Sequence, residues 1–181
     1  TALPYVGELH HIDIGISKNQ LCKLKSKILK ITYQDFQTIN LPILPKNTSK
    51  YIGKKTPRYR SSWEFAFMRF CDESPSVSKW ASESVKIPYR NPLTGQMTIY
   101  VPDFMIQYTD AKGKPHVELI EVKPGNQADL QEVKKSRDRG KQAQYVQNMA
   151  KWEAARHWCK RKKIFFRVIT EKDIFHQGSR K

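Results

Sequence analysis

Three charged residues stand inside two apolar stretches of the chain. The stretch "YVPDFMI", residues 100–106, contains Asp103, and "HVELIEVKP", residues 116–124, contains Glu121 and Lys123. Charged side chains rarely lie within buried strands unless they are paired or bind a metal ion. Because residues two apart on a strand point to the same face, Glu121 and Lys123 should project together. These types and this spacing are typical of a site that handles a metal ion and an anionic substrate.

The short stretch "DAKGKP", residues 110–115, is a turn signal between the two apolar runs. An antiparallel hairpin around it would place Asp103 roughly opposite Glu121. Two carboxylates that close repel each other unless a cation lies between them, and Mg²⁺ commonly binds one or two carboxylates with waters and substrate phosphates. Lys123 would then hold the attacking water or offset charge on the scissile phosphate. The alternative is that Glu121 and Lys123 form a solvated strand face and that Asp103 only flanks a turn.

The segments around these residues predict an α/β domain. "SSWEFAFMRFCDESP" has a serine N-cap (Ser61 or Ser62), apolar residues at helical spacing and a proline after its end, which predicts a helix of about three turns. Turns at 91–95 and in "DAKGKP" divide the next part into three strands. The long second strand should open at Pro102, because proline lacks the amide of a ladder bond. A helix broken near Gly140 and the strand "IFFRVIT" follow, so the order αβββαβ predicts a mixed β-sheet flanked by helices.

The chain divides into a basic N-terminal extension, residues 1–57, and the domain that holds the site, residues 58–181. Within the extension, apolar residues at roughly helical spacing between Leu21 and Leu29 predict one short helix. The part that follows is rich in proline, lysine and polar residues, which is typical of an irregular arm.

The charge of the chain is unevenly distributed. The 181 residues include 33 lysines and arginines against 17 aspartates and glutamates, a net charge of +16. Residues 1–60 and 131–181 carry the excess, whereas residues 61–130, which include the candidate site, are slightly acidic. Basic flanks around an acidic middle favour a polyanionic partner such as nucleic acid. The alternative is a merely well-solvated basic surface.

Cysteine usage and hydropathy exclude other classes of protein. The three cysteines, Cys22, Cys71 and Cys159, are far apart in sequence, which argues against a zinc site and favours a reducing compartment. No apolar run approaches the roughly 18 residues of a membrane span, and no signal-peptide pattern is present. We therefore expect a cytoplasmic protein with no membrane partner.

The two motifs together resemble the PD-(D/E)xK nuclease superfamily. Pro102–Asp103 and the Glu121-Val122-Lys123 triplet fill the motif. The wider string from "RSSWEFAFMRF" to "ELIEVKP" is similar to the end-cleaving A subunit of heteromeric transposases, and especially to the head-completion nucleases of contractile-tailed phages. The resemblance extends well over about residues 58–125. It implies a restriction-endonuclease-like core and a metal-dependent DNA endonuclease that acts in phage head completion or DNA packaging.

The resemblance also implies the members of the site. Glu64, on the helix before the sheet, would complete the metal site or bind a second ion, although it could equally be a helix acid favoured by the macrodipole. For Glu83, functional and solvated interpretations stay open. The implied cofactor is Mg²⁺, with Mn²⁺ as the alternative. The expected catalytic residues are Glu64, Asp103, Glu121 and Lys123, and the expected metal ligands are Asp103, Glu121, Glu64 and the backbone carbonyl of Val122.

Double-stranded DNA is the expected substrate, with head or portal proteins of the phage as further partners. Relatives often carry a substrate-contacting glutamine and tyrosine on the helix after the motif, but the spacing here departs from that pattern, and Tyr145 could equally pack in the core. The expected DNA-binding residues are Lys134, Lys135, Arg137, Arg139, Gln142 and Tyr145, with the basic run 160–163 as further phosphate contacts. The expected location is the host cytoplasm or the virion. The alternative function is a structural, DNA-binding head-completion plug with little or no cleavage.

Overall fold

The computed structural model describes residues 40–125, 137–170 and 173. Ten helices and strands lie in the described residues, and their bounds fix the labels used below. In chain order they are β1 (Leu41–Pro42), β2 (Arg58–Tyr59), α1 (Ser62–Glu73), β3 (Val77–Ser82), β4 (Ile87–Arg90), β5 (Met97–Tyr100), β6 (Phe104–Thr109), β7 (Pro115–Val122), α2 (Arg139–Lys162) and β8 (Phe165–Ile169).

The main sheet has four strands in the order β3-β6-β7-β8. Its first three strands pair antiparallel, and β8 pairs parallel with β7. Parallel neighbours need a long crossover, and α2 lies between β7 and β8 in the chain. The predicted α/β class, with a mixed sheet flanked by helices, is confirmed.

Strand alternation divides the core between the two helices. Ile120 and Val122 of β7 pack with Phe67 of α1 on one face of the sheet. Leu119 packs on the other face with Trp152 of α2, where the β4–β5 hairpin also lies. β7 is apolar on both faces, and both of its faces are therefore buried.

Helix α1 begins where the sequence predicts. The Ser61 side chain accepts a hydrogen bond from the Glu64 amide (3.1 Å), which satisfies one of the free donors at the helix start. The helix ends before Ser74, whose amide bonds back to the Phe70 carbonyl, and Pro75 follows.

The prediction of the sheet's first strand was wrong. We expected it just before the 91–95 turn, but β4 forms a separate two-stranded sheet with β5, and β3 is the strand that joins the main sheet. In β3, a register shift between Val77 and Lys79 breaks the alternation of inward and outward side chains, and serines stand beside the shift. The segment therefore lacks the two-residue hydrophobic period of a strand. The hairpin turn itself is confirmed, since the Gly95 amide bonds to the Asn91 carbonyl (2.8 Å).

The long second strand opens as expected. It ends as β5 at Tyr100 and resumes in the other sheet as β6 at Phe104. The residue between them that lacks an amide hydrogen, Pro102, is buried at this change of sheet. This opening leaves Asp103 at the start of β6.

Helix α2 begins at Arg139, and Asp138 caps it by accepting bonds from the amides of Gly140 and Lys141. Gly140 therefore lies in the first turn, where it does not interrupt the described helix. The part of the predicted helix between residues 126 and 136, and the predicted N-terminal helix between Leu21 and Leu29, lie outside the described residues.

The described end of the predicted extension, residues 40–57, packs on the domain. Asp72 of α1 is 3% exposed and accepts from the backbone amides of Lys46 (2.8 Å) and Asn47 (3.2 Å). Tyr51 forms a parallel bridge with Trp80 of β3, and their rings make edge contact. The division of the chain at residues 57 and 58 stays a prediction. In the described part of the chain no helix is long and apolar enough to cross a membrane.

Candidate active site

Strand register brings the two predicted carboxylates together. The β6–β7 ladder ends with Phe104 paired to Ile120, so the next residue outward, Asp103, lies opposite Glu121. One Asp103 carboxylate oxygen (Oδ2) accepts from the backbone amide of Val122 at 2.8 Å, which ties it to the end of β7. The predicted juxtaposition of the two acids is confirmed.

Glu121 is held at both of its carboxylate oxygens. It is 3% exposed, accepts from the Tyr100 hydroxyl at 2.7 Å through Oε2, and forms an ion pair with Lys123 at 3.0 Å through Oε1. Lys123 therefore projects beside Glu121, as the two-residue spacing predicts. Tyr100 belongs to the same site, and its one signal in the sequence is an aromatic residue in an apolar run.

The electrostatics of the site favour an added cation. Burial and the nearby Glu121 raise the pKa of Asp103 well above its ordinary value, and Lys123 opposes this only in part. For Lys123, burial lowers the pKa, but Glu121 and Asp103 outweigh it, so the pKa is raised and the side chain stays an ammonium. One lysine does not neutralise the pair of acids.

The donor set fits a hard divalent ion. Two carboxylates on neighbouring strands, one with a pKa raised by the other, are the oxygen ligands that Mg²⁺ prefers. Within residues 40–125, 137–170 and 173, no three histidine, cysteine, aspartate or glutamate side chains already converge as a metal site. An ion between Asp103 and Glu121 would compete with Lys123 for Glu121.

Glu64 serves the helix that carries it. It stands third in α1, accepts from the Arg60 amide at 2.8 Å and reaches the Ser61 hydroxyl at 3.3 Å, which is a capping arrangement. Burial raises the pKa of Glu64 despite these bonds. The charge of Glu64 also raises the pKa values of Asp103 and Lys123. Glu64 therefore faces the site from the first turn of α1 and caps that helix at the same time. A role as metal ligand stays a prediction.

Arg60 and Glu83 flank the site, and the sequence analysis missed Arg60. The two side chains form an ion pair, and the Glu83 amide donates to the Asp103 carbonyl at 2.9 Å. Glu83 has φ +48°, a left-handed conformation that is uncommon for a residue with a side chain and that is found in turns and at functional sites. Glu83 is thereby tied to the backbone of a site residue, although its side chain is exposed.

The predicted DNA-binding residues gather only in part. Arg137, Arg139 and Gln142 are exposed at the start of α2, and Tyr145 is partly buried. Lys134 and Lys135 lie outside the described residues. Arg139 lies in the first turn of α2, where a cation opposes the helix dipole and a bound anion would offset it.

Two further residues of α2 lie at this site, and the sequence analysis missed both. Lys151 is partly buried, and its pKa is influenced by Lys123, Glu121 and Asp103. Asn148 is 4% exposed, one turn before the buried Trp152. A signal for Asn148 was present, because a polar residue four positions before a tryptophan stands on the apolar face of the helix.

Comparison with known proteins identifies relatives of the chain. Residues 74–171 match the family described as TnsA-like endonuclease N terminal. Over 136 residues the chain is 33% identical to the "Head completion nuclease" of Enterobacteria phage T4, an alignment that covers 71% of this chain and 88% of that protein. The family match includes Asp103, Glu121 and Lys123 and begins after Glu64.

Proposed function

The chain belongs to the TnsA-like endonuclease family, and on that premise we propose that it is a Mg²⁺-dependent endonuclease that hydrolyses DNA phosphodiester bonds. The observation that carries the proposal is the pairing of Asp103 with the buried Glu121 beside Lys123. A structural role alone would not require two acids to face each other with one lysine beside them.

Asp103 and Glu121 would hold the metal, with Glu64 and the backbone carbonyl of Val122 as further ligands. The bound ion would lower the pKa of a coordinated water and offset charge on the phosphate. Tyr100 orients Glu121 through a 2.7 Å hydrogen bond, as a partner of a metal ligand should. Lys123 places a positive charge beside the carboxylates, where it orients the attacking water and stabilises charge on the phosphate oxygens.

The biological role that we propose is head completion or DNA packaging in a phage, since a relative at 33% identity is a head completion nuclease. The protein would act in the cytoplasm of the infected cell or in the virion, on double-stranded DNA, with head or portal proteins as partners. The basic flanks and the cations at the start of α2 support the assignment of DNA.

The proposal is tested by incubating supercoiled plasmid with the purified protein in Mg²⁺, Mn²⁺, Ca²⁺ or EDTA. We expect nicking in Mg²⁺ or Mn²⁺, none in EDTA, and binding without cleavage in Ca²⁺, whose looser coordination positions the water poorly. Asp103→Ala should remove the activity, and the control Glu153→Ala, at an exposed acid of α2, should keep it. Binding without cleavage in every metal would instead favour the structural plug, and full cleavage in EDTA would overturn the metal site.

A further inference from the structure

Two neighbouring side chains of α2, Asn148 and Lys151, lack hydrogen-bond partners in the described part of the chain, as does the indole nitrogen (Nε1) of Trp152. The Asn148 side-chain amide nitrogen (Nδ2) is buried and has no acceptor among the described residues, and the residue is only 4% exposed. Lys151, three residues later and partly buried, forms no hydrogen bond or ion pair with any residue in the described part of the chain. Residues three apart on a helix are surface neighbours, so the two donors lie side by side.

The topology places these donors at the carboxylate end of the sheet. Because β7 and β8 are parallel, the helix that connects them must run back along the sheet, and its first half lies near the end of β7. The buried Trp152 packs with Tyr100, whose hydroxyl holds Glu121. Asn148 is one helical turn closer to the end of β7 than Trp152, on the same buried face.

The electrostatics agree with this placement. Burial lowers the pKa of Lys151, Lys123 lowers it further, and Glu121 and Asp103 act in the opposite direction. The Lys151 ammonium thus lies in the field of the candidate site. Unlike Lys123, which pairs with Glu121 at 3.0 Å, Lys151 pairs with no carboxylate among the described residues.

A buried donor without an acceptor destabilises the fold, and it does so more when it is charged. Two such donors beside each other indicate a ligand that supplies acceptor oxygens and negative charge. A phosphodiester has both properties. Because Asp103 and Glu121 repel its negative charge, it needs a positively charged group across the site from these two carboxylates.

We propose that Lys151 and Asn148 form a phosphate-binding subsite on α2, which holds a nonbridging oxygen of the DNA phosphodiester against the carboxylate pair. This inference rests on the proposed function for the identity of the phosphate. The two lysines then have different roles. Lys123 pairs with the carboxylates and orients the water, whereas Lys151 binds the substrate phosphate.

The test uses Lys151→Met, with Lys112→Met as the matched control, since Lys112 is an exposed lysine in the β6–β7 turn, at the far end of the sheet. Lys151→Met should lower the affinity for a 20-base-pair duplex in Ca²⁺ about tenfold and the single-turnover cleavage rate in Mg²⁺ about a hundredfold. It should leave the melting temperature unchanged or raised, because an unpaired, partly buried ammonium has been removed. Lys151→Arg should restore part of the affinity, and Lys112→Met should match the wild type in all three measurements.

Asn148→Leu provides a second measurement, because leucine keeps the branching of asparagine at Cγ and removes its donor. It should lower the DNA affinity and keep the melting temperature. If Lys151→Met and Asn148→Leu both lower the melting temperature and leave DNA affinity intact, the residues are structural and the subsite is overturned. Wild-type affinity and cleavage in Lys151→Met would also overturn it while keeping the nuclease. If the wild type never cleaves but both variants lose DNA affinity, the proposed function fails and the subsite stands.

Discussion

At the scale of single residues, the proposed chemistry depends on the different environments of three charged groups. Asp103 is partly buried with a raised pKa, Glu121 is buried and bonded at both oxygens, and Lys123 stays charged because two acids surround it. Their roles can therefore be separated by substitution.

Asp103→Ala should abolish cleavage and weaken Mn²⁺ binding together, because a proposed ligand is lost. Lys123→Ala should keep Mn²⁺ binding or strengthen it, since a competing cation leaves Glu121. Its single-turnover rate should still fall roughly a hundred- to a thousandfold, about 3–4 kcal/mol, as expected for one preorganised transition-state donor. Nicking assays and Mn²⁺ titration of the same preparations measure both effects. A Lys123→Ala variant that cuts at the wild-type rate would show that this lysine has no catalytic part.

The raised pKa of Asp103 predicts how the metal-free protein responds to pH. A group whose pKa is higher in the folded state contributes stability that is present below its unfolded pKa and is lost as the pH rises through the folded value. In EDTA at pH 7, Asp103→Asn should therefore be more stable than the wild type by on the order of 1 kcal/mol, and the difference should shrink as the pH falls towards 4. Urea unfolding at several pH values measures it, and added Mg²⁺ should stabilise only the wild type. A difference independent of pH would argue against the burial of this charge.

At the scale of elements, short connections set the geometry of the site. The change of sheet at Pro102 ends β5 and starts β6, so Asp103 emerges beside β7 while Tyr100 reaches Glu121 from the hairpin side. The segment before α1 is held in place by the hydrogen bonds that Asp72 accepts from it.

Asp72→Ala should destabilise the protein by about 1–3 kcal/mol, because the amides of Lys46 and Asn47 would lose their acceptor. Glu73→Ala, at an exposed acid in surface ion pairs, is the control and should change stability by less than about 1 kcal/mol. Urea unfolding measures both variants, and cleavage by the folded fraction should be unchanged. Equal stability of the two variants would mean that the segment is not fixed by Asp72.

At the scale of the whole molecule, the net charge of +16 governs the encounter with DNA. Binding should depend little on DNA sequence, and with about six phosphates neutralised, the affinity should fall on the order of a thousandfold between 50 and 200 mM salt. Deleting residues 1–39, which include five lysines, should make this dependence less steep while the described packing of residues 40–57 is kept. Salt titrations of fluorescently labelled duplex measure both chains, and an identical slope would assign those lysines to another task.

The sequence by itself determined which charged residues come together at the site, and the helix before it. Asp103, Glu121 and Lys123 were predictable because strand alternation and a short turn fix the faces and register of neighbouring residues. The start of α1 at Ser61 was predictable because capping depends on a few adjacent residues.

Only the tertiary structure decided what reaches the site from elsewhere in the chain. β3 was missed because a bulge hides its period, and its place in the sheet depends on pairing with a strand more than 20 residues later. Three residues of the site come from the hairpin, from the segment before α1 and from α2, where neighbouring residues give no sign of the contact: Tyr100, Arg60 and Lys151. Packing across the sheet sets those positions, because side chains that meet in space are fixed by topology rather than by spacing along the chain.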